Sequence, residues 1–445
     1  MLLEQILKAV AGKSGFKLFD DMDPVPCNHS IDFRNFQNHA VIWPLDNDPQ
    51  SVWKFLDALG SGVIPVIISG KWPAMKIEKL REQFPNFGYF NGNDIELPDD
   101  PAIFENGIRL VLMTSGSTGT PQAIATTEER LEKGIQFIHE RQKLEAIKNT
   151  GILLPVCYSY SLINQLLWAI YYEKPTYINN TIMGPFEPFL YLDRHKTEMV
   201  CMVSAQIGLI TKIDYSTMPI LHNVKVVNFA GAPFPYANLD DLKKLFPNAR
   251  YINNYGCTEA MPRLTMREVF DTKETVSNVG APIGDIEIKI DGDEKIGAIM
   301  FNGSSTALGK ITKSGAFEQF PEWINSGDHG HLENGILHVA GRRDQIVKIQ
   351  GERFSLLEIE HTIQKLGFDH VMAWLDEKNA KIILVTGGKH KPDIADIRQT
   401  CKTYLHRHMW PGEIYHITKW PLNANGKTDR TLIQKQHQNG ELARY

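Results

Sequence analysis

A cluster of hydroxyl and glycine residues follows the apolar run 108–113 and has the composition of a phosphate-binding loop. The run predicts a buried strand, and the loop after it contains Thr114, Ser115, Gly116, Ser117, Thr118 and Gly119. Glycine lets the backbone approach an anion closely, while amides and hydroxyls donate hydrogen bonds to it. The loop lacks the Gly-Lys-Ser/Thr ending of a Walker loop and the spacing of a dinucleotide-binding motif. We therefore expect a phosphate site of another kind.

Three later segments also combine chemically active side chains with glycine turns. An aromatic ring can stack on a base, and a carboxylate beside phosphate oxygens can bind Mg²⁺. A lysine in a turn can stabilise charge that develops during a reaction. These segments are 253–259, with Tyr255, Thr258 and Glu259; 326–328 with 341–353, which contain Asp328, Arg342 and Asp344; and 425–430, with Lys427.

In this order, the four segments resemble those of the adenylate-forming superfamily, which includes acyl- and aryl-CoA ligases, peptide-synthetase adenylation domains and beetle luciferases. The resemblance extends from about residue 110 to residue 430. It implies a large N-terminal domain, residues 1–343, that binds ATP and an acid. It also implies a small mobile C-terminal domain, residues 344–445, that rotates about a hinge at Asp344 between two half-reactions.

The resemblance also implies the ATP-site residues. The phosphates would lie in the loop Thr114–Gly119, Tyr255 would stack on adenine, and Asp328 would accept both ribose hydroxyls. The implied catalytic residues are Thr258 at a phosphate oxygen, Glu259 as the Mg²⁺ ligand, and Lys427 at the reacting carboxylate and α-phosphate. The remaining implied nucleotide-binding residues are Gly231, Ala232, Asn254, Gly256 and Arg342.

One position departs from the family pattern. The family usually has lysine after the proline of the phosphate loop, and this chain has Gln122. A neutral amide donates hydrogen bonds but cannot neutralise the charge that develops on pyrophosphate. This difference motivates an alternative function, a non-catalytic adenylate-binding regulatory protein.

The segment 154–162 resembles the acid-binding segment of aryl- and acyl-CoA ligases. Tyr160 stands where 4-coumarate ligases place a tyrosine against the phenyl end of the substrate, although the tyrosines could equally serve core packing. Relatives that activate amino acids have an aspartate in this segment, whereas its only side chains with polar atoms here are those of Ser, Tyr and Cys. We expect an aryl or unsaturated acid, with a medium-chain fatty acid as the alternative. The implied acid pocket comprises Tyr158, Tyr160, Ser161, Phe229 and Ala230.

The composition is that of a globular enzyme. A net charge of −5 gives no basic surface for nucleic acid, and five scattered cysteines indicate reduced thiols in the cytoplasm. No apolar run reaches the length that would span a membrane. The amphipathic residues 1–8 predict a short docking helix rather than a signal peptide.

The order of patterns predicts an α/β fold. Apolar runs at 63–68, 151–155 and 224–229 read as buried strands, and 128–148 and 238–245 as helices, which favours parallel strands between helices. From residue 276, short strands with Gly and Asp turns predict a β-rich subdomain, in which 303–310 forms a loop. A helix at 357–365 and strands at 371–375 and 381–385 predict a small α+β domain.

The function that follows is ATP-dependent ligation. An acid would attack the α-phosphate of ATP to form an acyl-adenylate and pyrophosphate, because a carboxylate alone is a poor electrophile. A phosphopantetheine thiol, from an acyl carrier protein or CoA, would then displace AMP. A luciferase-like oxygenase has no supporting feature in the sequence.

Overall fold

Strands and helices alternate along most of the chain, and the chain ends in a small α+β body. The computed structural model describes residues 1–20, 23–29, 31–114, 122–178, 186–203, 206, 218–271, 277–292, 296–342, 345–349, 352–368, 370–376, 381–388, 393–422 and 428–444. The mixed α/β class predicted from the sequence is confirmed.

The strands are numbered in chain order. Those before residue 130 are β1 (Leu18–Phe19), β2 (Ala40–Leu45), β3 (Ile64–Ser69), β4 (Gly88–Phe90), β5 (Ile95–Glu96), β6 (Ile108–Thr114) and β7 (Gln122–Thr127). The central strands are β8 (Thr150–Ile152), β9 (Thr176–Ile178), β10 (Met199–Met202), β11 (Val226–Phe229), β12 (Arg250–Tyr255), β13 (Thr265–Val269) and β14 (Asn278–Pro282). The last are β15 (Glu287–Asp291), β16 (Gly297–Asn302), β17 (Gly309–Ile311), β18 (Phe317–Gln319), β19 (Ile324–Glu333), β20 (Ile336–Arg342), β21 (Ile346–Ile349), β22 (Glu352–Ser355), β23 (His370–Asp376), β24 (Lys381–Gly387), β25 (Glu413–Ile417) and β26 (Ala443–Arg444).

The helices connect these strands, and short 3₁₀ turns lie at 33–36, 236–238, 258–260 and 407–409. A π-helical turn, Leu162–Leu167, joins α5 to α6. The helices are α1 (Leu2–Val10), α2 (Pro49–Gly60), α3 (Ala74–Gln83), α4 (Glu128–Gln142), α5 (Ser159–Ser161), α6 (Trp168–Tyr171), α7 (Glu187–Arg194), α8 (Leu239–Leu245), α9 (Leu356–Gln364), α10 (Ile394–Tyr404) and α11 (Arg430–Gln438).

Two large sheets form the main body. One is eight-stranded, in the order β18-β17-β7-β6-β3-β2-β4-β5, and the other is twelve-stranded, in the order β1-β9-β8-β10-β11-β12-β13-β14-β20-β19-β16-β15. Strands β8, β10, β11 and β12 run parallel, and pairing becomes antiparallel from β12 to β13. The carboxyl ends of β10, β11 and β12 therefore meet at one edge, where open α/β sheets usually bind ligands.

Local sequence explains why these elements are buried. Strand β3 is a continuous apolar run, as expected for a parallel strand covered on both faces. Helix α1 buries Leu2, Ile6 and Ala9, which lie on one face at helical spacing. The helix predicted at the start of the chain is present, and it packs against α2 and α4 of its own chain.

The structure corrects two boundaries. The helix predicted over 128–148 ends at Gln142, because Lys143 adopts a left-handed conformation with a φ of 52°. The short strands predicted from residue 276 are present, and because β14 pairs with both β13 and β20 they continue the twelve-stranded sheet. Residues 309–310 of the predicted loop belong to β17, which pairs with β7 of the other large sheet.

The C-terminal body has a four-stranded sheet, β23-β24-β25-β26, covered by helices. Its core includes Ile359 and Ile363 of α9, Leu384 of β24 and Ile397 of α10. The helix and two strands predicted for this region are confirmed as α9, β23 and β24. Throughout the described ranges, helices with the length and apolar character needed to cross a membrane are absent.

Candidate nucleotide and acid site

A tyrosine, an aspartate and an arginine from three strands meet at the centre of the site. The Tyr255 hydroxyl donates to Oδ2 of Asp328 at 2.8 Å, and Nε of Arg342 lies 3.0 Å from Oδ1 of the same carboxylate. Asp328 and Arg342 are cross-strand neighbours on β19 and β20, which fixes their pairing. Burial, together with the nearby Asp328, raises the pKa of Tyr255 well above 10, so the phenol stays protonated and donates. The structure thus brings together three predicted nucleotide-binding residues.

Gly256 allows the chain to fold back after β12. A Cβ at this position would lie 2.0 Å from the carbonyl oxygen of Pro262, far inside contact distance. The amide of Leu264 then donates to the carbonyl of Tyr255 at 2.9 Å, which closes the turn. Any side chain at Gly256 would therefore displace the backbone that carries Tyr255 and Thr258.

The turn that follows presents Thr258 and Glu259 at a part-exposed position. The amide of Ala307 donates to the Glu259 carbonyl at 2.8 Å, so the loop before β17 supports this turn. The loop itself is held by Arg130 of α4, whose guanidinium donates to the Thr306 carbonyl at 2.8 Å.

The side chain of Asn254 connects two neighbouring parallel strands. Its side-chain amide donates to Oδ1 of Asn228 at 3.0 Å and to the carbonyl of Phe229 at 3.1 Å, which ties β12 to β11. Gly231 and Ala232 lie exposed just after β11, and Gly231 has a φ of 81° that suits glycine. These positions border the carboxyl edge of the parallel strands, where the sequence predicts the adenine.

Only the ends of the predicted phosphate loop are described. Thr114 ends β6 opposite Gln122 of β7, and the backbone N–H of Gln122 donates to the Thr114 hydroxyl at 3.4 Å. The exposed Gln122 side chain therefore stands at the mouth of the loop. The predicted residues that lie outside the described ranges are Ser115, Gly116, Ser117, Thr118, Gly119, Asp344 and Lys427.

The predicted acid-pocket residues differ in their surroundings. The Ser161 hydroxyl donates its hydrogen to the Pro155 carbonyl at 2.5 Å, so this donor is already used within the protein. Tyr158 is 40% exposed. Phe229 is buried against Phe234 with ring centroids 4.9 Å apart, and Ala230 is part-exposed. Tyr160 precedes a π-helical turn, a feature often found at functional sites. Its hydroxyl is buried and lies near Asn254 and Cys201.

Arg263 is a buried residue of the site that the sequence analysis missed. Its side chain is 2% exposed, and its guanidinium carbon lies 5.3 Å from the centroid of the Tyr160 ring. Among the residues that the structure describes, neither Nε nor Nη2 has a hydrogen-bond partner. A sequence signal did exist, because a single arginine interrupts the mostly apolar run 260–266 just after the Tyr-Gly-x-Thr-Glu motif.

A family model described as AMP-binding enzyme matches residues 46–309, more than half of the chain. The chain belongs to the AMP-binding enzyme family. Among sequence relatives, a 2-succinylbenzoate–CoA ligase of Listeria monocytogenes is 25% identical over 342 residues, 74% of this chain and 70% of the relative. A D-alanine–D-alanyl carrier protein ligase of Bacillus cytotoxicus is also 25% identical, over 73% and 69% of the two chains.

Solved structures of AMP-binding enzymes share the fold. An o-succinylbenzoate coenzyme A synthetase of Bacillus subtilis in complex with AMP superposes with a TM-score of 0.77 at 17% identity, covering 97% of this chain and 98% of its own. An anthranilate CoA ligase in complex with anthranoyl-AMP gives a TM-score of 0.77 at 16% identity, with coverages of 99% and 97%. The predicted family and enzyme class, an AMP-forming acid–thiol ligase, are confirmed.

Proposed function

We propose that this protein activates a carboxylic acid with ATP and transfers the acyl group to a thiol. The observation that carries the proposal is the Asp328 carboxylate, held at 2.8 Å by Tyr255 and at 3.0 Å by Arg342. An oriented carboxylate can accept hydrogen bonds from both hydroxyls of a ribose. It lies beside the Tyr-Gly-x-Thr-Glu turn, so a nucleotide bound there would direct its phosphates towards Thr258.

The described residues fit ATP and Mg²⁺. Glu259 is part-exposed, and its carboxylate forms no ion pair within the described ranges, which suits a cation that is shared with phosphate oxygens. When bound, Mg²⁺ would neutralise phosphate charge. In our proposal Lys427 adds a second positive charge at the reacting carboxylate and α-phosphate, where charge develops in the transition state. The five cysteines are free thiols, which supports the cytoplasmic location expected from the sequence.

The acid in this proposal is an aryl or unsaturated acid. The aromatic ring of Tyr160, whose hydroxyl is buried, and the lack of an acidic residue in 154–162 support it. The named relatives include ligases for 2-succinylbenzoate and for D-alanine, and a structural neighbour holds anthranoyl-AMP. Two of these acids are aryl acids, while the D-alanine ligases bind an amino acid. A medium-chain fatty acid is the alternative substrate.

The acceptor in this proposal is a phosphopantetheine thiol, on an acyl carrier protein or on CoA. The relatives named above include both carrier-protein and CoA ligases. We further propose that residues 344–445 form the small mobile domain and turn about Asp344 between the half-reactions. The separate apolar core of the C-terminal body supports a unit able to move as one body.

The test is ATP–pyrophosphate exchange with purified protein, screened across aryl, unsaturated, medium-chain fatty and amino acids. The proposal expects exchange that depends on Mg²⁺ and is fastest with an aryl or unsaturated acid, followed by release of AMP when CoA or a carrier protein is added. Nucleotide binding without exchange for any acid would instead support a non-catalytic adenylate-binding regulatory protein, the alternative that Gln122 motivates. Fastest exchange with an amino acid would overturn the substrate assignment.

A further inference from the structure

The guanidinium of Arg263 is a buried charge without an anion. Its side chain is 2% exposed, and no carboxylate among the described residues pairs with it. An uncompensated charge in the interior is costly, and buried charges in proteins are normally paired. The Tyr160 ring at 5.3 Å offers a cation–π contact, but Nε and Nη2 still lack a hydrogen-bond partner among the described residues.

Neighbouring side chains cannot supply the missing negative charge. Burial raises the pKa of the Cys201 thiol to about 12 and the pKa of the Tyr160 phenol well above 10, despite the nearby guanidinium. Both groups are therefore neutral at physiological pH. The amide of Asn254 is a neutral group as well, and its N–H atoms are already donated to β11.

The two unsatisfied atoms, Nε and Nη2, form one edge of the guanidinium. This edge is the fork that binds a carboxylate through two parallel hydrogen bonds. The same chain shows the arrangement elsewhere: Nε and Nη2 of Arg250 donate to the two carboxylate oxygens of Glu268 at 3.0 and 2.9 Å. Arg263 presents the same fork without a carboxylate.

The position of Arg263 indicates which carboxylate would fill the fork. Thr258 and Glu259 are part-exposed, whereas Arg263 lies deeper, against Tyr160 and beside Cys201 of β10. The reacting carboxylate must face the nucleotide at the outer part of the site. A group that reaches Arg263 would therefore be at the opposite end of the acid.

We propose that the substrate is a dicarboxylic acid, whose second carboxylate binds the Nε–Nη2 edge of Arg263 at the bottom of the acid pocket. This inference rests on the proposed function and narrows its substrate class. Arg263 is then a specificity-determining residue: a monocarboxylic acid would leave the guanidinium buried and unpaired, and a site built around a polar partner rejects analogues that lack it.

The experiment compares matched acids that differ only by a second carboxylate, such as benzoate with isophthalate and terephthalate, and crotonate with fumarate. In pyrophosphate exchange, the wild type should favour the best diacid over its monoacid by at least about tenfold in kcat/KM. Arg263→Met, an apolar change of similar length, should reduce this ratio to near unity, and Arg263→Lys should restore part of it. Arg250→Met, the control for loss of a carboxylate-binding arginine elsewhere, should leave the ratio unchanged.

Thermal unfolding separates this inference from the proposed function. Without ligand, Arg263→Met should raise Tm, because it removes an unpaired buried charge, while Arg250→Met should lower or preserve it. The best diacid should raise the Tm of the wild type and not that of Arg263→Met. A diacid-dependent Tm without exchange would refute the ligase function and support the carboxylate site. Equal kcat/KM for matched acids, or a preference that survives in Arg263→Met, would overturn the inference.

Discussion

Replacing Asp328 by asparagine tests ribose recognition, the central contact of the proposed site. The side chain is 17% exposed and accepts bonds from both Tyr255 and Arg342, so its orientation is fixed before the nucleotide binds. Hydrogen bonds to a charged acceptor contribute about 1.5–3 kcal/mol. ATP should therefore be preferred over 2′,3′-dideoxy-ATP by roughly 10- to 150-fold in kcat/KM. In Asp328→Asn, this preference should fall to a few-fold.

The measurement is pyrophosphate exchange with each nucleotide at a saturating acid concentration. Glu333→Gln is the matched control, because Glu333 lies on the same strand β19 with a 66% exposed side chain and should leave the preference intact. A purely structural role for Asp328 would weaken both nucleotides equally. If Asp328→Asn still separates ATP from the dideoxy analogue as the wild type does, the ribose assignment is wrong.

Four further predictions address the half-reactions, the acid pocket and stability. Lys427→Ala should slow adenylation by about 10²-fold or more while thiol transfer from preformed adenylate survives; equal losses in both half-reactions would contradict its role. Asp344→Pro should permit adenylate formation but block transfer to the thiol, since proline fixes φ and removes an amide donor, and normal transfer would refute the hinge. Tyr160→Phe should weaken a hydroxylated aryl acid by roughly 1–3 kcal/mol and spare the unsubstituted acid, as measured by KM, because the buried hydroxyl would pair with the phenol of that acid; equal effects on both would argue for core packing alone. Burial lowers the pKa of His361 to about 4 in the folded protein. As the pH falls below 6.5, the unfolded chain therefore binds a proton at this histidine before the folded chain does. The free energy of unfolding that His361 contributes above pH 6.5 is then lost progressively towards pH 4. In denaturant unfolding, His361→Gln should lose about 1–3 kcal/mol less of its free energy of unfolding than the wild type between pH 6.5 and pH 4. Identical pH profiles for the wild type and the variant would exclude the effect.

The sequence predicted those parts of the fold in which local pattern and tertiary environment agree. Strand β3 and helix α9 combine a clear period with burial, and both lie within a residue or two of their predicted bounds. The end of α4 was not predicted because a lysine, Lys143, adopts the left-handed conformation there, where a glycine would have indicated the helix end in the sequence. The continuity of the twelve-stranded sheet through β14 depends on pairing between distant segments, which composition does not encode.

The site residues also fall into those that a local motif predicts and those that only the folded structure brings together. Tyr255 and Asp328 belong to local motifs, and strand pairing brings them to 2.8 Å from each other. Arg263 belongs to no motif, and its importance depends on Tyr160 and Cys201, which are distant in the sequence and become neighbours only in the folded chain. A sequence shows that an arginine is present but not that its partner is missing.

That missing partner bears directly on how the protein selects its substrate. If Arg263 served stability alone, an apolar residue of similar size would serve better, because a buried charge is favourable only when it is paired. The structure nevertheless holds the guanidinium beside groups that stay neutral at physiological pH, and in our proposal its Nε–Nη2 edge is paired only when the acid binds. An acid without a second carboxylate would have to bind against an unpaired charge. The resulting discrimination would therefore come from rejection of the wrong acid as much as from attraction of the right one.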